Sequence, residues 1–525
     1  MSGAVIAGAR RLTRPARLLL AAVFGIVMML SFAPAGTWWL TPFCLAGLFL
    51  LLPGESVRDA GTIGLLFGLG WLGSGIWWLY PGLANYSDAS RPMALVLTVA
   101  LACWLALFPM IATSAFAALV AWRPAWMVAG AWRWSSGASL WMLAEWARAN
   151  LFGGFPWLLS GTVHASAPLG ALAPWVGVMG VSWMNAFVAL ALADCMTRLQ
   201  PQRERLKCAG WRKTALQPLF ALGLAAFACS LLSLYEWTVP DKQRLTLRLL
   251  QGNVPQYSKM SLAGLAEAAQ RYAVLSDEGA AELTLMPETA LPLAWGAMPP
   301  AVLAQWRGIA RARRSTLVIG TFGEHAGRMV GTNSAIALFP KGTDSPYDYR
   351  YDKIHLVPFG ERTWTWSAWL TGSMYRHFGD LTPGMPDQPP LGLPKGKVAL
   401  NICFESLFDV ASAHKARDAG LLVNLTNFGW FDGSYAAAQH LQAGQMRARE
   451  TGRWFVQVGN SSGTAVVSPD GVIRAALPEN VTAVLDTRVE MVRGTTPFMR
   501  FGNVPLLAAS LVLLLYVGTG GLRFA

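Results

Sequence analysis

One cysteine of this chain stands apart from the other five. Cys403 ends the apolar stretch Lys397-Val-Ala-Leu-Asn-Ile-Cys403-Phe-Glu405 and is the only cysteine between residues 239 and 496. The others lie in or beside hydrophobic segments, at Cys44, Cys103, Cys195, Cys208 and Cys229. A thiol with no disulfide partner in its own region is either a buried filler or a nucleophile. The polar residues that could accompany Cys403 decide between these two roles.

Two other polar residues also stand where predicted strands end. Glu288 follows the apolar run Leu283–Met286 after a single proline, and Lys353 precedes the apolar patch that leads to Glu361. Functional side chains of α/β proteins gather at the carboxyl ends of strands. We therefore expect Glu288 and Lys353 to lie close to Cys403.

Together these residue types can perform acyl transfer. A thiol with a pKa of about 8.5 is mostly protonated at neutral pH and needs a base. The carboxylate of Glu288 can accept that proton and return it to a leaving group. The ammonium of Lys353 can stabilise a tetrahedral oxyanion, and the main-chain N–H of Phe404, at a predicted helix start, is a second donor. A papain-like pair of Cys403 with His355 or His440 is the alternative, although neither histidine lies in a local signature of that class.

The elements around these residues indicate an α/β fold with covered sheets, because short strands alternate with helices. The predicted strands are Leu245–Leu250, Leu283–Met286, Thr316–Gly320, Ser334–Phe339, Val398–Cys403, Leu421–Leu425, Phe455–Val458, Thr464–Val467 and Ala483–Leu485. The predicted helices are Leu262–Leu275, Ala301–Arg314, Phe404–Ala419 and Tyr435–Thr451.

Between residues 362 and 390 this alternation stops. The segment contains Trp364, Trp366 and Trp369 among several glycines and prolines. A loop of this length inside a compact domain is usually functional or disordered, and its aromatic content argues against plain disorder. We interpret it as a mobile lid that touches lipid; a packed irregular loop is the alternative.

The remainder of the chain is typical of a polytopic membrane protein. Of its 525 residues 54% are hydrophobic and only 14% are charged, against about 25% charged in soluble proteins. Eight apolar runs approach the length of about 20 residues that spans a bilayer. They cover about 18–34, 38–53, 60–80, 93–121, 136–150, 172–196, 217–236 and 503–519. The domains predicted from this pattern are a transmembrane part over 1–236, a catalytic part over 237–497 and a C-terminal span with a short tail over 498–525.

The positive charge follows the membrane segments rather than the globular part. The net charge is +13; residues 237–500 hold 26 basic and 22 acidic residues, and the remainder holds 16 and 7. This distribution indicates membrane topology and anionic headgroups, not nucleic acid. Basic residues in the even-numbered loops place both termini in the cytoplasm, so the globular domain lies outside it. The fifth span contains Glu145 and Arg148 three positions apart, either a functional pair or a structural one. No spacing typical of a metal or phosphate site occurs, and we expect no metal and no cofactor.

A set of ordered motifs resembles a known family. Pro287-Glu288, Lys353 with Pro358-Phe-Gly-Glu361, and Cys403-Phe-Glu405 resemble the carbon–nitrogen hydrolase, or nitrilase, superfamily. Seven leading spans, one trailing span and the string from Lys353 to Glu361 narrow the resemblance to the apolipoprotein N-acyltransferase family. Other matching segments are Gln251-Gly-Asn-Val-Pro-Gln256, Thr332-Asn-Ser334, Asn427-x-x-Trp-Phe431, Gln439-His440, Arg447-Ala-x-Glu450-x-Gly-Arg453 and Asn460-x-x-Gly463. Family members often carry a tryptophan after the first of these segments, where this chain has Lys259-Met260.

The resemblance implies an α-β-β-α sandwich with a Glu–Lys–Cys triad formed by Glu288, Lys353 and Cys403. It adds Glu361 as a supporting carboxylate, Glu405 as a residue that orients the turn or Lys353, and Asn427 and Trp430 as substrate or lid residues. The implied reaction moves an acyl chain from a phospholipid, typically phosphatidylethanolamine, through a cysteine thioester to the α-amine of a diacylglyceryl-cysteine apolipoprotein. The implied setting is the bacterial inner membrane, with a monomeric enzyme whose catalytic domain is periplasmic.

Two other functions remain open at this point. A membrane-tethered amidase or nitrilase would use the same triad, but water would resolve the thioester. A transporter or sensor with a periplasmic binding domain would need paired broken spans near the bilayer midplane. Only the segment around Glu145 and Arg148 approaches that pattern, and it has no counterpart elsewhere in the chain.

Overall fold

Two units make up the chain. The structure, a computed structural model, describes residues 12–87, 89–124, 130–199, 211–259, 261–325, 327–343, 345–358, 360–362 and 381–520. The first unit comprises Met1–Trp77, Val96–Glu236 and Phe501–Ala525. The second unit comprises Trp78–Leu95 and Trp237–Arg500, so a short segment from within the predicted membrane part groups with the globular residues.

The first unit is helical. In chain order the helices up to residue 232 are α1 (Arg14–Met29), α2 (Leu40–Leu50), α3 (Val57–Gly68), α4 (Leu79–Tyr86), α5 (Arg91–Trp122), α6 (Gly130–Asn150), α7 (Ala173–Leu199) and α8 (Trp211–Leu232). Of these, α4 and the first five residues of α5 belong to the second unit. A π-helical turn at Leu69–Gly73 follows α3, so the predicted span 60–80 is not one continuous α-helix.

Two helical stretches of the described chain are long and apolar enough to cross a bilayer by themselves, Arg91–Trp122 and Pro168–Arg198. Three shorter apolar helices accompany them, at Leu40–Leu50, Leu216–Leu232 and Val504–Thr519. The count of eight spans therefore stays a prediction.

Glu145 and Arg148 are both buried inside the first unit, where they hold an irregular segment. Arg148 donates hydrogen bonds to main-chain oxygens within Phe155–Leu158 at 2.6 to 3.1 Å. Glu145 accepts a hydrogen bond from the main-chain N–H of Ser160 at 3.0 Å. Buried backbone groups outside helices need such partners. These contacts give the pair a structural role.

The second unit contains two six-stranded sheets in the described residues. The strands are β1 (Thr238–Gln251), β2 (Leu283–Leu285), β3 (Thr316–His325), β4 (Arg328–Leu338), β5 (Tyr349–Asp352), β6 (Leu391–Leu393), β7 (Gly396–Ile402), β8 (Leu421–Thr426), β9 (Trp454–Gly459), β10 (Ala465–Val467), β11 (Ile473–Ala476) and β12 (Ala483–Gly494). The strand orders are β12-β1-β2-β3-β4-β5 and β11-β10-β9-β8-β7-β6. Strand β2 is parallel to β1 and β3, and β7, β8 and β9 are parallel to one another.

The helices of this unit cover the outer face of each sheet. They are α9 (Leu262–Asp277), α10 (Pro300–Arg313), α11 (Asp409–Ala416) and α12 (Ala436–Thr451). Two further helices follow, α13 (Pro497–Phe501) and α14 (Val504–Thr519), of which α14 belongs to the first unit. Leucine and valine side chains from both sheets form one core between them. A second core joins the first sheet to Tyr272 of α9 and Trp306 of α10, and a third joins the second sheet to α11 and α12. The predicted α-β-β-α sandwich is confirmed.

One predicted helix is wrong. Phe404–Ala419 is not continuous, because a 3₁₀ turn at Cys403–Leu407 comes first and α11 begins only at Asp409. Phe408 between them has an extended backbone, with φ −79° and ψ 107°. The short strands β5, β6 and β11 were not predicted. They have three or four residues each, so they lack the length over which an alternating pattern is recognisable.

Candidate active site

The carboxyl ends of three strands carry the predicted chemistry. Glu288 follows β2, Lys353 directly follows β5, and Cys403 directly follows β7. The Glu288 turn rests against β3, where a Cβ on Gly320 would lie 2.1 Å from the main-chain oxygen of Pro287. Only glycine at this strand position lets the turn approach so closely.

Lys353 connects two carboxylates. Its Nζ donates to Glu288 Oε1 at 2.9 Å and to Glu361 Oε1 at 2.9 Å. The lysine side chain is 1% exposed. Burial by itself would lower the pKa of Lys353, but the charges of Glu288 and Glu361 outweigh it and hold the pKa above its ordinary value. Lys353 is therefore a permanent cation, suited to donate hydrogen bonds and unsuited to act as a base.

Asn333 of β4 joins the same two carboxylates from another direction. Its Nδ2 donates to Glu288 Oε1 at 2.8 Å and to Glu361 Oε1 at 2.7 Å. Glu361 is further held by the main-chain N–H of Val357 at 2.8 Å. Two acids this close repel each other unless donors lie between them. Asn333 and Lys353 provide those donors and fix the orientation of Glu288.

Cys403 occupies a strained turn. Its φ is +53°, in the left-handed region, and its side chain is partly buried. Such a conformation costs about 1–3 kcal/mol for a residue with a Cβ and is found mainly at functional sites. Thr426, at the end of the neighbouring strand β8, donates its hydroxyl to the sulfur at 3.3 Å. Burial raises the pKa of the thiol to about 12, Glu288 adds to the rise, and Lys353 opposes it.

Glu405 ties the Cys403 turn to the Lys353 segment. Its carboxylate accepts hydrogen bonds from the main-chain N–H groups of Ile402 and Ile354, each at 2.7 Å, and from the hydroxyl of Tyr351 at 2.9 Å. Glu405 is 1% exposed. Because Ile402 and Ile354 directly flank Cys403 and Lys353 in the chain, one carboxylate sets the spacing of both.

The two histidines of the alternative Cys–His pair differ in their contacts: His440 is hydrogen-bonded through both ring nitrogens, and His355 makes a ring stack. Nε2 of His440 lies 3.1 Å from the main-chain oxygen of Cys403, and Nδ1 lies 2.9 Å from Gln457 Oε1. Burial lowers the pKa of His440 to about 4, so the ring is neutral at pH 7. The ring of His355 stacks on Phe408 with a centroid distance of 4.1 Å. This geometry favours Glu288 over either histidine as the base.

The remaining predicted residues divide into three groups. Phe404 is buried within the 3₁₀ turn and packs against Phe408. Asn427 follows β8 and donates to Gln256 Oε1 at 2.9 Å, while Trp430 packs edge-on against Tyr86 of α4. The predicted lid residues fall outside the described residues; they are Trp364, Trp366 and Trp369.

Sequence reasoning assigned no role to Asn333, Thr426 or Lys259, which the structure brings to the site. Two of them carried a usable signal. Asn333 lies in the motif Thr332-Asn-Ser334, and Thr426 ends the strand beside the cysteine strand, with Ile402 opposite Leu425. Within the described ranges, no group of three or more His, Cys, Asp or Glu side chains is arranged to hold a metal ion.

Comparison with known proteins identifies the family to which the chain is similar. Residues 24–191 match the model of the apolipoprotein N-acyltransferase N-terminal domain, and residues 246–495 match the carbon–nitrogen hydrolase model. The chain is 37% identical to an apolipoprotein N-acyltransferase of Ralstonia nicotianae, over 94% of this chain and 92% of the relative. It is 35% identical to one of Nitrosomonas europaea, over 96% and 97%.

Among solved structures, an amidase of the nitrilase superfamily from Nesterenkonia is similar to this chain, at 21% identity and a TM-score of 0.36, over 52% of this chain and 98% of the amidase. The family models and the near full-length relatives show that the chain belongs to the apolipoprotein N-acyltransferase family.

Proposed function

We propose that this chain moves an acyl chain from a membrane phospholipid, through a thioester on Cys403, to the α-amine of the diacylglyceryl-cysteine of an apolipoprotein. Family membership makes the chain an acyltransferase of lipoprotein biosynthesis. One observation carries the mechanism: the Lys353 ammonium is held between Glu288 and Glu361, and the carboxylate of Glu405 ties the Lys353 segment to the Cys403 turn.

The first half-reaction forms the thioester. The carboxylate of Glu288 takes the thiol proton while the sulfur of Cys403 attacks the ester carbonyl carbon of the phospholipid. Two N–H groups of Lys353 bond to carboxylates, which leaves its third N–H for the oxyanion; the main-chain N–H of Phe404 is the second donor. The tetrahedral intermediate collapses, the ester C–O bond breaks, and Glu288 returns the proton to the leaving lysophospholipid oxygen.

The second half-reaction releases the product. The α-amine of the apolipoprotein attacks the thioester carbonyl, and Glu288 takes a proton from the attacking nitrogen. The C–S bond breaks, an amide remains on the lipoprotein, and the proton passes to the sulfur of Cys403. Glu361 and Glu405 do not exchange protons in this scheme. They hold Lys353 and the cysteine turn in position.

The membrane setting explains the choice of substrates. Both the acyl donor and the acceptor are lipid-anchored, so an enzyme held by apolar helices meets each of them at the bilayer surface. We infer phosphatidylethanolamine as the donor, a monomeric enzyme, and a bacterial inner-membrane location with eight spans. In this arrangement the catalytic part is periplasmic and both termini are cytoplasmic. The basic residues at Arg58, at Arg123 and Arg133, and between 198 and 213 support that orientation.

The test is thioester formation by the full-length protein with a phospholipid whose acyl chain carries an alkyne tag. Wild type acquires a label that hydroxylamine releases, and Cys403→Ala acquires none. Cys103→Ala, an exposed cysteine on α5, is the matched control and labels like wild type. A hydroxylamine-labile adduct of normal yield on Cys403→Ala would rule out the mechanism.

The amidase alternative differs in what resolves the thioester. Addition of a diacylglyceryl-cysteine peptide with a free α-amine discharges the label in an acyltransferase, whereas the same peptide with an acetylated amine leaves the label in place. In an amidase, water discharges both samples at the same rate. Equal discharge with the free and the acetylated peptide would therefore favour hydrolysis over transfer.

A further inference from the structure

Two lysine side chains are fully buried among the residues that the structure describes, and both contact the Glu288 turn. Lys353 bonds to the carboxylate of Glu288, as described above. Lys259, which is 0% exposed, approaches the same turn at its backbone. Its Nζ donates to the hydroxyl of Thr289 at 3.2 Å and lies 3.5 Å from the main-chain oxygen of Glu288.

The segment that carries Lys259 is itself fixed. Val254 and Asn460 exchange two hydrogen bonds, from the Val254 N–H at 3.1 Å and from the Asn460 amide at 2.8 Å. Gln256 accepts a bond from Asn427 at 2.9 Å. The arm from Gln251 to Lys259 thus crosses the ends of strands β8 and β9. Lys259 therefore enters the site from a backbone that is fixed at Val254 and Gln256.

A buried ammonium with so few hydrogen-bond partners lowers the stability of the fold, because its lost hydration is not replaced. An ammonium has three donors, and one hydroxyl with one distant carbonyl replaces little of its hydration. Burial lowers the pKa of Lys259 to about 7, and the charge of Glu288 offsets part of that fall. Replacing a poorly compensated buried charge by an apolar side chain of similar volume is often neutral or stabilising. The stability of the fold therefore gives no reason for a lysine at this position.

We propose that Lys259 is a positioning residue of the acyl transfer, whose ammonium holds the Glu288–Thr289 turn and so fixes the place from which the carboxylate of Glu288 acts as the base. This inference rests on the proposed function of Glu288. Thr289 has a φ of +48°, so the turn is strained and needs an external contact to keep its shape.

The contacts around Glu288 support this role. Lys353 and Asn333 bond directly to Glu288, and Glu361 shares both of these donors. The other titratable groups that interact with Glu288 are Cys403, His440 and Lys259. Lys353 and Asn333 hold the carboxylate of Glu288, whereas Lys259 contacts the backbone side of the same turn. Without Lys259 the turn loses the hydrogen bond to Thr289, and the carboxylate is no longer fixed from both ends.

The test measures single-turnover thioester formation against pH with the tagged phospholipid, using the full-length protein in detergent. Lys259→Met keeps the length of the side chain and removes its charge. We expect a rate up to about 100-fold lower at pH 6, where Lys259 of the wild type is protonated, because a displacement of about 1 Å at a catalytic group costs on this order. The difference in rate between wild type and variant shrinks as the pH rises through about 7, because Lys259 of the wild type then loses its proton. The phospholipid concentration at half saturation changes by less than about twofold, and the melting temperature is equal or higher.

A threonine pair provides the matched control. Thr289→Val removes the hydroxyl that Lys259 contacts and keeps the branched shape, whereas Thr289→Ser keeps the hydroxyl. The valine variant is expected to be several-fold slower than the serine variant. This pair decides the question if Lys259→Met does not accumulate as folded protein, and equal rates of the two variants would then overturn the inference.

Three results contradict the proposal. The first is that Lys259→Met has the rate and pH profile of wild type. The second is that its loss of activity is explained by a lower melting temperature. The third is that only the phospholipid concentration at half saturation changes, while the maximal rate does not. The Cys403→Ala variant distinguishes a wrong role for Lys259 from a wrong proposed function. If Cys403→Ala forms no adduct while Lys259→Met behaves like wild type, only the role of Lys259 is wrong.

Discussion

The thiol of Cys403 is not activated in the resting site. Burial and the charge of Glu288 raise its pKa to about 12, and Lys353 with Thr426 counters only part of that rise. A nucleophile of this kind reacts as the thiol loses its proton, not from a standing thiolate. The base therefore has two opposing effects, because it accepts the proton during attack but disfavours the thiolate before it.

The variant Glu288→Gln distinguishes the two effects of Glu288, as the base during attack and as a negative charge that disfavours the thiolate. Thioester formation is expected to fall by about 10²- to 10⁴-fold, since the general base is lost. Alkylation of Cys403 by iodoacetamide at pH 8 is expected to rise several-fold, because removal of the negative neighbour increases the thiolate fraction. The two rates are measured on the same preparation, by gel labelling and by mass spectrometry of the Cys403 peptide.

The exposed Glu278→Gln is the control and leaves both rates unchanged. In wild type, alkylation keeps rising with pH without a plateau below about pH 10, as expected for the raised pKa of the thiol. A Glu288→Gln protein whose alkylation also slows would contradict the charge argument, because it would indicate loss of access and not loss of a base.

Among single residues, the sequence identifies polar side chains that stand next to an apolar stretch. Glu288 and Cys403 each follow an apolar strand, and Lys353 precedes an apolar patch; a polar group at such a position is visible without a structure. Lys259 is not visible in this way, because it follows a loop and its partners are 29 and 30 positions away. Asn333 is intermediate: the motif Thr332-Asn-Ser334 marks its segment in the sequence, but only the structure shows the two carboxylates that it contacts.

Among the elements, strand β3 sets the position of the base. A Cβ on Gly320 would lie 2.1 Å from the Pro287 oxygen, 2.7 Å from the Thr289 nitrogen and 2.9 Å from the Glu288 Cα. All three atoms belong to the backbone, so a flexible side chain cannot absorb the clash. The close approach of β3 to the turn is therefore part of the geometry of the site.

Gly320→Ala is expected to displace the Glu288 turn and to leave the fold in place. Overpacking costs about 1–3 kcal/mol of stability, and a displacement of about 1 Å at a catalytic group costs on the order of 10²-fold in rate. Thermal unfolding and single-turnover thioester formation measure the two effects.

Gly308→Ala is the matched substitution, because a Cβ there has no neighbour within 4 Å and the position lies inside α10. It is expected to keep full activity and to gain about 0.5–1 kcal/mol from helix propensity. If Gly320→Ala were as active as Gly308→Ala, the turn would tolerate movement and its placement by β3 would not matter for the rate.

The predicted elements and the observed ones differ where tertiary contacts decide. The longer apolar strands, such as β8 and β9, were predicted within a residue or two because they are buried on both faces. Strand β5, with the sequence Tyr-Arg-Tyr-Asp, has no such pattern and pairs because β4 lies beside it. The predicted helix after Cys403 failed because Glu405 accepts the Ile402 N–H and closes a tight turn, which helix propensity does not describe.

For the whole molecule, the sequence predicts the number of membrane spans and their orientation, whereas the structure gives the lengths of the helices. Length and hydropathy indicate eight spans, whereas two helical stretches of the described chain meet the length and composition of a span by themselves. Long and short apolar helices can share a bilayer, because tilt and local thinning accommodate different lengths. The helices alone do not give the side of the membrane on which residues 237–500 lie. The distribution of basic residues does make that prediction.

Topology is tested with two single-cysteine reporters. Leu262 is 88% exposed at the start of α9, and Arg58 is exposed at the start of α3. Five predicted spans separate them, so Leu262→Cys and Arg58→Cys must lie on opposite sides of the membrane. A membrane-impermeant maleimide is expected to label Leu262→Cys in intact cells stripped of the outer membrane, and to label Arg58→Cys only after the inner membrane is permeabilised.

The parent protein without either substitution corrects for its own cysteines, of which Cys103 is exposed. Labelling of both reporters from the same side would mean an even number of crossings between residues 58 and 262, so at least one of the five intervening spans would not cross. The reverse assignment, with Arg58→Cys labelled from outside, would keep the number of spans and invert the orientation. Then the catalytic part would face the cytoplasm, where it could not meet an acceptor lipoprotein on the periplasmic face, and the proposed acceptor would be wrong together with the topology.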